Sequence, residues 1–205
     1  MSRIVDHPEA YFDRLRRTDD PLLLKLESEA AAEHVPIVGP VVGQMLFILA
    51  RAMGARAVLE LGTATGYSAI FLARACAATG GRLTTIEFDP AMAARARRNL
   101  DRSGAGDSAE VVCADVIGRL PGLTGPFDMI FVDIEKADYV RVLPECARLL
   151  RPAGLLVADN VAFPDADAFN RAVFSSPVWQ PAALLAHLPG HSPEKDGICL
   201  ALRRY

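Results

Sequence analysis

From Ala57 to Asn160 the chain alternates short apolar runs with segments of helical period, and this alternation restricts the fold more than any other feature of the sequence. Ala57–Leu61 (AVLEL), Leu83–Phe88, Glu110–Cys113, Phe127–Asp133 (FDMIFVD) and Gly154–Asn160 (GLLVADN) have the length and apolar character of buried strands. Between them, Tyr67–Ala78 has helical spacing and stops at Gly80-Gly81. Asp89 and Pro90 supply an N-cap and a first-turn proline for a helix to about Arg102. Asp138 is expected to cap a further helix, with Tyr139, Val142, Leu143, Cys146 and Leu150 on one face and Arg151-Pro152 as its end. A helix through Ala166–Phe174 and strands near Trp179–His187 and Ile198–Arg203 complete the pattern. Strands alternating with helices predict an α/β chain: a doubly wound, seven-stranded, mostly parallel sheet with helices on both faces.

Three helices are predicted before the first strand, near Pro8–Arg17, Pro21–Glu33 and Pro40–Met53. The chain therefore reads as one domain over residues 1–205, with N-terminal helices in 1–53 and an α/β core in 54–205. Its 205 residues are 51% apolar and 23% charged, enough apolar material for a core and too much for a disordered chain. The formal net charge of −3 and the lack of a basic stripe argue against a nucleic-acid partner. The longest apolar stretch, Ile37–Ala50, is broken by Pro40, Gly43 and Gln44 and is too short to span a bilayer, so no membrane partner is expected. The charged N-terminus has no secretory h-region, which points to a cytoplasmic protein. Cys76, Cys113, Cys146 and Cys199 form no CxxC pattern and are expected as reduced core thiols. Leu22, Leu23, Leu24 and Leu26 lie close together. They fit either a homodimer surface or the core.

In such sheets ligands bind at the carboxyl ends of the strands. Five ends carry glycine or polar residues: Glu60-Leu61-Gly62, Glu87, Ala114-Asp115, Asp133 and Asp159-Asn160. The first belongs to the run Leu59–Ser68 (LELGTATGYS), where a strand meets a helix through Gly62 and Gly66. Glycine there admits a ligand close to the backbone, and the helix N-terminus offers free N–H groups. The spacing is GxxxG after an acidic residue, unlike the GxGxxG of dinucleotide sites. For the glycines alone, an ordinary strand–helix turn fits equally well. Glu87, ending the next strand, can accept both hydroxyls of a ribose.

Together these motifs resemble the class I S-adenosylmethionine-dependent methyltransferases, which are Rossmann-like. With FDMIFVDIEKADY and LLRPAGLLVADNV following in order, the chain from about Val35 to Tyr205 resembles the cation-dependent O-methyltransferases of the catechol and caffeoyl-coenzyme A type. The resemblance implies that Glu60, Gly62, Gly66, Tyr67 and Ser68 line the methionine part of S-adenosylmethionine. It implies Glu87 on the ribose, Asp115 facing the adenine, and Asp133 near both the cofactor amine and a metal. It further implies a divalent cation held by Asp133, Asp159 and Asn160, with Lys136 of the DxxK motif as general base.

The strand ends agree with this ligand set, since neighbouring strands lie about 4.8 Å apart. Two carboxylates and an amide oxygen suit Mg²⁺ first, with Mn²⁺ or Ca²⁺ as alternatives. The acceptor implied is a vicinal diphenol or a related catechol-like small molecule. Glu135 could face a substrate amine or solvent. The segment His187–Gly197 is longer than the turn of relatives, and Glu194 or His191 there could hold a substrate hydroxyl. Two other functions remain open on the residues alone: a metal-independent small-molecule methyltransferase and a non-catalytic cofactor-binding protein.

Overall fold

The computed structural model describes residues 5–15 and 19–205. Three helices precede the sheet: α1 (Pro8–Leu15), α2 (Pro21–Glu33) and α3 (Gly39–Ala52). The expected end of α1, at 16–17, lies outside the described residues. Asp20 caps α2 by accepting from the Leu22 and Leu23 N–H groups, and Pro21 opens it.

The core runs β1 (Ala57–Leu61), α4 (Tyr67–Ala77), β2 (Arg82–Glu87), α5 (Pro90–Arg102), β3 (Ala109–Cys113), α6 (Val116–Arg119), β4 (Phe127–Val132), α7 (Tyr139–Leu149), β5 (Leu150–Ala158), α8 (Asp167–Ser175), β6 (Trp179–His187) and β7 (Lys195–Arg203). The seven strands form one sheet in the order β3-β2-β1-β4-β5-β7-β6. The strands β3, β2, β1, β4 and β5 run parallel, and β7 pairs antiparallel with both β5 and β6. Two apolar layers cover it. One, including Leu23, Leu46, Ile70 and Phe131, lies under α2, α3 and α4. The other, including Ile130, Tyr139, Cys146 and Phe169, lies under α7 and α8.

Several expectations need correction. Leu150 does not close α7. It begins β5, pairing with Phe127 before a register shift that accommodates Arg151–Gly154. Asp138 makes no capping bond to α7, because its carboxylate accepts from Arg141 Nη1 at 2.6 Å. Helix α6 was not foreseen, and β7 starts at Lys195 because its hairpin with β6 extends to His187. Three cysteines are buried as expected, but Cys113 is exposed, at the end of the sheet-edge strand β3. Of the clustered leucines, Leu23 and Leu26 are core, whereas Leu24 is exposed. Among the described residues no helix is long and apolar enough to cross a membrane.

The turn after β1 is held by a close approach. The Asp133 N–H donates to the Leu61 carbonyl at 2.8 Å, and Gly62 follows with φ +90°. A Cβ on Gly62 would stand 1.9 Å from the Asp133 carbonyl oxygen. Gly54, with φ +63°, has nothing among the described residues within 4 Å of such a Cβ. Both alanine variants carry the left-handed strain of about 1–3 kcal/mol. Gly62→Ala should lose about 1–3 kcal/mol more from the clash. Urea unfolding of both variants tests this, and equal losses would show that the two strand ends can part at no cost.

Candidate active site

One cavity of ≈ 580 Å³ opens over the carboxyl ends of β1, β2 and β4. The Gly62–Thr65 turn and the start of α4, with Tyr67 and Ser68, form its floor. Glu87 and Phe88 stand at one side with Asp115 and Ile117. Asp133–Lys136 stand at the other. Val35–Val38, between α2 and α3, close it from above. Sequence patterning gave no signal for this last wall. Its placement depends on a contact distant in sequence, since a Cβ on Gly39 would lie 2.6 Å from the Gly190 carbonyl group.

Glu87 is the polar anchor of the turn. Its Oε2 accepts from the Thr63 and Ala64 N–H groups at 3.1 and 2.7 Å, and its Oε1 accepts from the Asp89 N–H at 2.9 Å. These bonds fix a carboxylate at the cavity edge in a defined orientation. Asp115 also faces the cavity, and one of its oxygens caps α6 through the Gly118 N–H at 2.7 Å. Tyr67 donates its hydroxyl to Glu27 of α2 at 2.6 Å, tying the N-terminal helices to the floor.

Two of the sequence-predicted cofactor residues do not line the cavity. Gly66 has φ +85°, and the place of a Cβ there is bounded by Ala96 at 3.1 Å, so its bareness serves α4–α5 packing. Glu60 lies below the turn, fully buried. Its Oε2 accepts from the Thr85 hydroxyl at 2.6 Å, and Thr85 in turn pairs with the Thr63 hydroxyl. Burial pushes the Glu60 carboxyl up to about 7, against the opposing pull of the Thr85 and Ser68 hydroxyls.

At the opposite end, Lys136 Nζ donates to Asp133 Oδ1 at 3.2 Å and lies 5.9 Å from the centre of the Tyr139 ring. Both side chains of the pair retain about a quarter of their exposure, 22% and 27%. Burial, followed by the Asp159 charge, pushes Asp133 up to about 6, although Lys136 and His191 draw it down.

Asp159 and Asn160 follow β5, next to the end of β4, and both are buried. Asp159 accepts from His191 Nε2, at 3.0 and 2.8 Å to its two oxygens, with both side chains 1% exposed. His191 Nδ1 lies 2.6 Å from the Pro193 carbonyl oxygen. Burial of the imidazole lowers its pKa, but the Asp159 bond and charge and the Pro193 carbonyl outweigh this and raise it. Asn160 donates from Nδ2 to Asp196 Oδ2 at 2.6 Å and to the Ser192 carbonyl at 3.3 Å. Among the described residues, no three His, Cys, Asp or Glu side chains form a ready metal group. The set Asp133, Asp159 and Asn160 contains only two residues of those kinds. Glu194 is exposed, with Oε1 3.5 Å from the Gly190 nitrogen that donates to it. His191 is therefore part of the buried network and Glu194 is not.

A family model described as O-methyltransferase matches residues 16–167. A catechol O-methyltransferase of Niastella koreensis is 44% identical over 162 residues, covering 77% of this chain and 72% of that protein. One from Mycobacterium tuberculosis is 40% identical over 156 residues, covering 75% and 70%. A solved O-methyltransferase of Streptomyces achromogenes, involved in tomaymycin synthesis and in complex with SAM, superposes with a TM-score of 0.85. It is 30% identical, with 97% and 96% of the two chains covered.

The Glu60 environment predicts a pH-dependent stability. Its folded pKa of about 7 stands above the ordinary 4.5, so the native state holds a proton that the unfolded state releases. This contribution is fully present below pH 4.5, declines through the window to about 7, and is then constant. The decline attributable to Glu60 is on the order of 3 kcal/mol. Glu60→Gln cannot ionise. Urea midpoints between pH 5 and 8 should therefore fall more steeply for the wild type than for the variant. Parallel profiles would show that Glu60 titrates normally in the fold.

Proposed function

The chain belongs to the O-methyltransferase family, and on that premise we propose that it transfers a methyl group from S-adenosylmethionine to a hydroxyl of a catechol-like small molecule, with a divalent cation held by Asp133, Asp159 and Asn160. The observation that carries this reading is one cavity with a nucleoside-type carboxylate, Glu87, at one side and the Lys136–Asp133 pair at the other. The SAM in the Streptomyces relative and the catechol in the names of the two curated relatives support cofactor and acceptor class.

The donor set fits a hard cation: two carboxylates and an amide oxygen at the ends of neighbouring strands suit Mg²⁺, with Mn²⁺ or Ca²⁺ next. Part of the rise in Asp133 comes from the Asp159 charge, a repulsion that a cation held there would relieve. When bound, the cofactor supplies an electrophilic methyl group and the cation supplies positive charge that favours the ionised acceptor hydroxyl.

The protein's own groups then have separate tasks. Glu87 keeps one lone-pair site beyond its three N–H bonds, on Oε1, and accepts there from a ribose hydroxyl. Lys136 Nζ, in its neutral form, takes the acceptor's proton, and Asp133 fixes where that nitrogen sits. Ile37, Val38 and Ile134 provide apolar wall and exclude water. Exclusion of water favours a step in which an anion and a sulfonium become neutral products. A second reading, metal-independent transfer on the same fold, is favoured by one observation: each carboxylate already has an N–H partner, Lys136 for Asp133 and His191 for Asp159.

Methyl transfer to catechol, assayed with Mg²⁺ and with chelator, separates the two. The leading reading expects chelation to abolish turnover and Mg²⁺ to restore it, whereas activity indifferent to chelator favours the second. Lys136→Ala should lower turnover by roughly 10²–10⁴-fold, as for a positioned general base. Wild-type turnover in that variant would remove Lys136 from the chemistry.

A further inference from the structure

The buried network behind β5 contains an acid that none of the tasks above uses. Asp196 is the second residue of β7 and is 3% exposed. Its Oδ1 accepts from the Gly197 N–H at 2.6 Å and the Ala162 N–H at 3.2 Å, which pins the carboxylate between β7 and the segment after β5. Its Oδ2 faces Asn160 Nδ2 at 2.6 Å. The second proton of that amide nitrogen goes to the Ser192 carbonyl.

Both partners of Asn160 are acceptors. A carbonyl offers only lone pairs, and so does a carboxylate. Rotating the Asn160 amide by half a turn would set its oxygen against two oxygens and leave two buried N–H groups turned elsewhere. The amide can therefore rest in only one of its two orientations, with both N–H groups towards Asp196 and Ser192 and its oxygen as the remaining acceptor. The backbone adds to the constraint, since Asn160 sits at φ +51°, between the end of β5 and the turn that Asp196 braces.

We infer that Asp196 is a positioning residue that fixes the amide flip of Asn160, so that the oxygen and not the nitrogen of Asn160 is presented to a divalent cation. The inference rests on the cation reading given above. A hard cation accepts an amide oxygen and rejects an amide N–H, so the orientation decides whether Asn160 is a ligand at all. Groups that orient metal ligands from behind in this way typically change metal affinity by 10–100-fold when removed.

Asp196→Asn tests it with Mn²⁺ as the probe. Its own oxygen can still accept from Gly197 and Ala162, while its new N–H groups permit Asn160 to turn its oxygen inward. Free Mn²⁺, followed by electron paramagnetic resonance during titration of the full chain, gives the affinity without turnover. Asp196→Asn is expected to bind Mn²⁺ roughly 10–100-fold more weakly than the wild type, with S-adenosylmethionine affinity retained. Asn160→Ala should weaken Mn²⁺ too, and the double variant should bind no more weakly than Asn160→Ala alone, because Asp196 acts through Asn160. Unchanged Mn²⁺ affinity in Asp196→Asn, or losses that add in the double variant, would overturn the inference and leave the cation reading standing. A wild-type chain that takes up no Mn²⁺ would overturn both. Asp196→Ser, read by the same comparisons, stands in if Asp196→Asn does not fold.

Discussion

The bare backbone of Gly62 against the carbonyl of Asp133 is the contact on which the rest of the site depends. It brings the ends of β1 and β4 closer than any side chain at position 62 would allow. The glycine turn can then fold back towards β2, where its Thr63 and Ala64 N–H groups meet Glu87. Asp133, held from the same side through the Leu61 carbonyl, starts the turn that carries Lys136. One steric constraint therefore sets the separation between the proposed cofactor end of the cavity and the proposed chemical end.

Electrostatics shapes the same region. Parallel strands that end together bring acidic residues into one poorly hydrated volume, and carboxylates there are costly unless they are partnered. The chain meets that cost in three ways. Glu60 is held by neighbouring hydroxyls and pushed towards its neutral form. Asp133 leans on Lys136 in the cavity, and Asp159 on a buried imidazole. Of the three, the Lys136–Asp133 pair alone lines the cavity.

The sheet was legible because buried parallel strands write themselves as short apolar runs, and the polar residues at their ends could be located by counting. Glu87 and Asp133 were located this way, Lys136 came only from the family resemblance, and all three line the cavity. What failed depended on partners distant in sequence, on very short elements or on a competing local ion pair. Four-residue α6 has too few positions to show a period. Cys113 sits in an apolar run, but its strand is an edge, and edge position is set by topology. Asp138 looks like a cap until Arg141 takes its carboxylate. The bonds of Asp196 to Asn160 and of His191 to Asp159 span 36 and 32 residues, so no local spacing could announce them. The one available signal was Asp196 immediately before the apolar run Gly197–Leu202, an acid at a strand start where burial was to be expected.

The central claim is that this cavity methylates one oxygen of a vicinal pair on a small aromatic acceptor. Its most direct test gives wild-type protein, S-adenosylmethionine and Mg²⁺ an equimolar choice between catechol and phenol, with the products resolved by mass spectrometry. The account predicts mono-methylated catechol in large excess over methylated phenol, because only catechol offers two adjacent oxygens to a cation. Phenol methylated as readily as catechol, or neither compound methylated while S-adenosylmethionine is bound, would contradict it.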